Sequence, residues 1–82
     1  MIREERRKVY VEVTALHTPE GATCPLSLIF EDTTYEIDQV KRVCRAAASK
    51  VGGTGIRYTI VIMGRESFLF EDEGKWFVEA KN

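Results

Sequence analysis

The residues of this chain whose types could do chemistry are few. They are one histidine, His17, two cysteines, Cys24 and Cys44, and two acidic clusters, Glu31-Asp32 and Glu71-Asp72-Glu73. A zinc site takes about four ligands from Cys, His or carboxylate at short spacing, and one His with two distant Cys does not supply them. The sequence implies no bound metal and no cofactor. Nucleophilic catalysis needs an attacking side chain beside a base. Here that would require His17 to approach Ser67, Cys24 or Cys44, and no nucleophile-elbow sequence is present. The acidic clusters have the residue types of paired carboxylates or a Mg2+ site, but each falls in an expected turn, where acids occur for backbone reasons. Gly52-Gly53-Thr54-Gly55 has the composition of a phosphate-cradling loop. However, no Gly-Lys-Ser/Thr follows, and position 58 is Tyr where a dinucleotide fingerprint requires Gly. A flexible connection into a strand is the plainer reading, and a non-enzyme is expected.

A second kind of chemistry survives. Residues 38–58 carry Lys41, Arg42, Arg45, Lys50 and Arg57 against the single acid Asp38, whereas residues 18–37 carry Glu20, Glu31, Asp32 and Glu36 and no base. The net charge of −1 thus conceals a basic middle segment, which permits one cationic face on a near-neutral protein. Set beside Tyr10, Tyr58, Phe68, Trp76 and Phe77, these cations match single-stranded nucleic-acid binders, in which each base stacked on an aromatic contributes about 1–3 kcal/mol. Two facts oppose this. A small domain needs most of its aromatics for its own core, and a net charge of −1 lacks the long-range attraction of a dedicated nucleic-acid binder. The candidate binding residues are Lys41, Arg42, Arg45, Lys50, Arg57 and Tyr58. A protein partner is the first expectation and would use an exposed apolar patch or an unpaired sheet edge. A single-stranded nucleic acid held by the basic 41–57 segment is the second. Charge of this kind on a small domain also serves simply as solvated surface.

The elements that would position these residues are mostly strands. Val9, Val11, Val13 and Ala15 alternate with polar neighbours, which predicts a half-buried strand over 8–16, ended by the turn residues of His17-Thr18-Pro19-Glu20-Gly21. A second strand over Pro25 to Phe30 should place Leu26, Leu28 and Phe30 on one face. Glu31-Asp32-Thr33-Thr34 then turns the chain into Tyr35-Glu36-Ile37. Across Gly52 to Glu79, runs rich in Ile, Val, Tyr, Phe and Trp are divided by glycine-bearing turns, the signature of an antiparallel meander. Ile56, Tyr58, Ile60 and Ile62 share one parity of its first strand, and apolar residues on both faces imply covering on both sides. Gly64-Arg65 marks one tight turn, and Gly74 supplies the left-handed residue of the other.

Residues 38–51 support two readings; the apolar spacing and the three adjacent alanines favour the helix, while the Gly-Gly-Thr-Gly run favours a long loop. Asp38 could cap a helix with Val40, Val43, Cys44, Ala47, Ala48 and Val51 at helical spacing and Gly52 as its stop. Alternatively, Tyr35-Glu36-Ile37 continues through Val40 and Val43 as a bent, bulged strand, and Ala46 to Gly55 forms a mobile loop.

At 82 residues the chain is one domain with a small core. It has no signal-peptide pattern and no apolar run near the 18 to 20 residues of a membrane span. A cytoplasmic monomer with reduced thiols is therefore the expectation.

Tyr35-Glu36-Ile37-Asp38, Ala47-Ala48-Ser49, Gly52 to Tyr58, Gly64-Arg65-Glu66, Phe68-Leu69-Phe70 and Trp76-Phe77-Val78-Glu79 together resemble a group of short uncharacterised bacterial proteins. The tyrosine-containing strand, aromatic meander and terminal tryptophan strand are distantly similar to a small domain of unknown function found alongside translesion-type DNA polymerases. The resemblance spans Tyr35 to Glu79 and leaves the N-terminal strand outside. Neither group has an activity to carry over. The resemblance implies an all-strand small barrel. It favours the bent strand over the alternative, an α+β domain with a helix at 38–51 on a curved antiparallel sheet. The expected fold is an all-β, SH3-like or partly open barrel of five or six antiparallel strands. The expected function is a non-enzymatic binding or adaptor module that contacts a protein partner, set in a nucleic-acid-handling assembly.

Overall fold

Seven antiparallel strands curl into a half-barrel in the computed structural model, which describes residues 6–47 and 54–81. They are β1 Arg6–His17, β2 Thr23–Phe30, β3 Thr33–Glu36, β4 Gln39–Ala47, β5 Thr54–Ile62, β6 Arg65–Asp72 and β7 Lys75–Lys81. The order across the sheet is β3-β2-β1-β7-β6-β5-β4. No helix forms among the described residues, so none is long and apolar enough to cross a membrane.

The curl comes from β1, which serves two ladders in succession. Its first half, Arg6 to Val11, pairs with β7, and its second half, Glu12 to His17, pairs with β2. A bulge after Thr14 lets Ser27 and Pro25 face Thr14 and Ala15 and leaves Leu26 as the extra residue. Such an insertion bends the strand and reverses the parity beyond it. Leu26 is therefore exposed while Pro25 is buried, which corrects the expectation that Leu26 shares the inner face of Leu28 and Phe30.

The bent-strand reading of the middle segment is the observed one. Residues 39–47 are strand, and the helix is not formed there. Ala46 and Ala47 pair with Gly55 and Thr54, so the ends of the expected loop belong to the hairpin, and residues 48–53 lie outside the described residues. The bend at Ile37-Asp38 divides one long strand into β3 and β4, giving seven strands where five or six were expected. At this corner the Ile37 amide donates to the Leu26 carbonyl at 2.9 Å, and the Asp38 amide donates to the Val61 carbonyl at 2.8 Å. Consecutive backbone donors thus join β2 to β5. The Asp38 carboxylate accepts from the Met63 amide at 3.2 Å, not from a helix N-terminus.

Three two-residue turns have both central residues at positive φ, the geometry that matches the right-handed twist of a hairpin. They are Glu31-Asp32, Met63-Gly64 and Glu73-Gly74. The second lies one residue earlier than the expected Gly64-Arg65. Gly74 is the left-handed residue that was anticipated, with φ of 81°.

Inside the curl, Leu28, Tyr58, Ile60 and Leu69 form the buried centre, ringed by Val11, Val13, Tyr35, Val40, Trp76 and Val78. A second cluster, Phe70 with Phe77, lies on the opposite face of the same sheet. Gly55 is fixed by a close approach, since a Cβ there would lie 2.5 Å from the Glu71 backbone oxygen.

Candidate binding surfaces

The basic residues that cluster in sequence do not form one patch. A bulge between Val40 and Arg42 turns Lys41 out of the ladder, and its Nζ reaches Glu66 Oε2 at 2.7 Å. That hydrogen bond, with the charge of Lys41, holds the exposed Glu66 carboxyl below the usual carboxylate range. Arg42 and Arg45, on either side of Val43 and Cys44, fall on opposite faces because they differ by an odd number of residues. Arg42 pairs with Thr59 on the outer face, and Arg45 pairs with Ile56 on the inner side of the β4–β5 hairpin. Both are exposed, and among the described residues neither has an ion-pair partner. Lys50 lies outside the described residues.

Arg57 is held in place laterally. Its guanidinium carbon lies 4.7 Å from the Phe68 ring centroid, its Nη2 donates to Cys44 Sγ at 3.7 Å, and its Nε is buried with no hydrogen-bond partner. Tyr58 leaves the set of surface candidates. It is 3% exposed and packs on Trp76 with ring centroids 5.2 Å apart, so no base can stack on it. Burial, with Glu71 and then Cys24 adding to it, pushes its hydroxyl above the ordinary tyrosine range. The parity that Tyr58 shares with Ile56, Ile60 and Ile62 already carried this information.

The outer face holds a belt whose extent the sequence did not disclose. Tyr10, Phe77, Phe70, Arg57 and Cys44 face one another in register across β1, β7, β6, β5 and β4. Phe70 and Phe77 stack at 5.0 Å with planes 7° apart, and Tyr10 meets Phe77 edge-on at 5.9 Å. Lys8 Nζ sits 4.6 Å from the Phe77 centroid and 5.8 Å from that of Tyr10. Lys8 was missed, although it shares the parity of Tyr10 two residues away. Tyr10 and Phe68 remain open to solvent at 59% and 46%.

No family model, curated protein or solved structure matches this chain. Its chemistry is therefore read from geometry. His17 Nδ1 lies 3.1 Å from Thr23 Oγ1 across the β1–β2 hairpin, so the histidine is engaged beside its own turn. Cys24 and Cys44 are free thiols on separate strands. Among the described residues no three His, Cys, Asp or Glu side chains converge as metal ligands.

The other distinctive feature of the basic segment is backbone. Among the described residues β4 is an edge strand whose ladder partner is β5 alone. Val43, between the two free arginines, is 52% exposed. An edge strand presents a row of unpaired N–H and C=O groups that can template another strand.

Proposed function

We propose that this domain is a non-enzymatic binding module that accepts an extended acidic segment of a protein partner as an added strand along β4. The single observation that carries this is the nine-residue edge at Gln39–Ala47, paired on one side only among the described residues and bearing Val43 exposed between Arg42 and Arg45. Strand addition draws affinity from main-chain hydrogen bonds and specificity from alternate side chains. Here those side chains offer an apolar contact and a cation on one face, Val43 with Arg45, and a cation on the other, Arg42. A second copy paired along the same edge would bring its own Lys41, Arg42 and Arg45 to the seam and raise the positive charge there, so a segment bearing carboxylates is the better complement. A setting in a nucleic-acid-handling assembly rests on the sequence resemblance alone.

A second reading is favoured by one separate observation. The exposed rings of Tyr10 and Phe68 lie on the outer face with Lys8, Arg42 and Arg57, an arrangement suited to stacking the bases of a single strand.

An NMR amide-shift titration separates the two. An alternating Val-Glu peptide should perturb residues 39–47 in a saturable way, and the double substitution of Arg42 and Arg45 by Glu should weaken it about tenfold or more, as for charge-assisted contacts. The β4 reading fails if the peptide leaves those amides unmoved. Shifts confined to Tyr10, Phe68 and their neighbours with oligo-dT, lost steeply with salt, would establish the second reading instead.

A further inference from the structure

The half-barrel does not close evenly. The β6–β7 ladder begins at Asp72 and Lys75 and ends at Phe70 and Phe77, so among the described residues those of β6 before Phe70 pair with β5 only. On the other side, the first half of β1 pairs with β7 but not with β2. The sheet therefore parts at the end where the β2–β3 and β5–β6 turns lie. The inner positions that could have plugged this end are Arg7, Arg65, Ser67 and Ala80, each either small or charged. An open cavity of about 1020 Å³ results, floored by Leu28, Phe30, Ile60, Ile62 and Val78.

Ligand pockets are commonly about 300–1,000 Å³, mostly apolar, with a few convergent polar groups that orient the ligand. This cavity has that composition. Its polar lining includes Tyr35 and Ser67, whose hydroxyls make no protein hydrogen bond among the described residues, and Arg7 and Arg65, which have no ion-pair partner among them. Of the acids on the lining, Glu66 is neutralised by Lys41 at 2.7 Å, and Glu79 is engaged by an interaction of its own. Glu31 is left as the opposing charge. Met63, on the lip at the β5–β6 turn, is 79% exposed. Its unbranched, polarizable side chain adapts to apolar surfaces of irregular shape.

We propose that the mouth of the half-barrel is a binding pocket for a free long-chain carboxylate. The apolar floor takes the chain, and Arg7 and Arg65, with the Tyr35 and Ser67 hydroxyls, meet the head group. An arginine fork matches carboxylate geometry and makes the stronger, charge-assisted hydrogen bonds. The site is separate from β4, so it stands or falls independently of the strand-addition reading.

The test uses decanoate, decanol and acetate, titrated into the labelled full chain by amide shift and by calorimetry. Decanoate should saturate and perturb Leu28, Ile60, Ile62, Ser67 and Val78, with affinity falling about fourfold for each methylene removed from the chain. Decanol should bind about tenfold or more weakly, and acetate not measurably. Arg65 and Glu31 are exposed, so Arg65→Glu and Glu31→Gln should leave the free spectrum unchanged apart from their neighbours. The first should weaken decanoate about tenfold and the second should tighten it. The proposal is overturned if decanol matches decanoate, if Arg65→Glu is without effect, or if saturation is absent. It is also overturned if only phosphatidylglycerol vesicles bind, which would make the site a lipid-surface contact.

Discussion

The inner and outer faces of the sheet both bury large side chains, but by different means. Inside, Leu28, Ile60, Leu69 and Tyr58 are enclosed because the sheet curls over them. Outside, nothing in the strand order covers Phe70 and Phe77, yet they are 3% and 1% exposed. Part of their cover comes from neighbours on the face itself, with Tyr10 edge-on to Phe77, Lys8 above it and Arg57 beside Phe70 in the ladder. The inner core depends on fold topology, and the outer one on side chains that reach sideways along a face. A cluster of the second kind can be buried and still lie in the surface that a partner would meet.

The sharpest way to break this contrast is to truncate one residue from each face. Leu69→Ala should cost about 2–5 kcal/mol and Phe77→Ala about 3–5 kcal/mol in denaturant unfolding, the usual range for large-to-small core changes. A loss below about 1 kcal/mol at Phe77 would show that the outer cluster is ornament rather than core. Gly55→Ala should come next, at about 1–3 kcal/mol, because the new methyl meets the Glu71 carbonyl and backbone cannot step aside as a side chain can. A Gly55→Ala protein with unchanged stability would mean that β5 and β6 separate there without cost.

A smaller effect, confined to high pH, should come from Tyr58. Its hydroxyl is held neutral above the ordinary tyrosine range, near 10, so the folded state keeps a proton that the unfolded state has lost. Stability should be fully present below pH 10 and fall as pH rises beyond it. Unfolding curves of Tyr58→Phe measured across that range should show a flatter decline. An equal decline in both proteins would place the alkaline sensitivity elsewhere. Last, Lys8→Ala should cost about 0.5–1 kcal/mol through its lost cation–π contact with Phe77. The norleucine analogue at position 8, which keeps the methylenes and removes the charge, would separate that term from packing.

Several parts of this arrangement are written plainly in the chain. The alternation in β1 and β5 and the left-handed Gly74 follow from local chemistry, because apolar period and glycine freedom act within a few residues. The bent passage from Tyr35 through Val43 does not, since the apolar spacing and adjacent alanines there favour a helix and only the resemblance to all-strand proteins points to the strand. What stayed hidden depends on parity and on non-local pairing. The bulge at Leu26 moves one leucine outward and brings Pro25 inward, and periodicity carries no mark of where a ladder inserts a residue. The bulge at Lys41 sends that lysine to Glu66 on β6, a partner 25 positions away. Arg42 and Arg45 look like neighbours in a list but lie on opposite faces of one strand. The burial of Phe70 and Phe77 on the outer face, and the cavity left where β6 parts from β7, depend on how far each ladder runs, which no segment reveals by itself.

The pairing of β1 with β7 bears on how the chain comes into being. Arg6 lies opposite Lys81 and Val11 opposite Trp76, so β1, once made, finds its β7 partner only after about sixty further residues have been added. Loop closure on that scale must be met before the contact returns any stabilisation, and proteins rich in such contacts fold in milliseconds to seconds. Until then, half of β1 is an open strand edge, and a nascent chain halted before residue 75 would display it to every passing chaperone or sister chain.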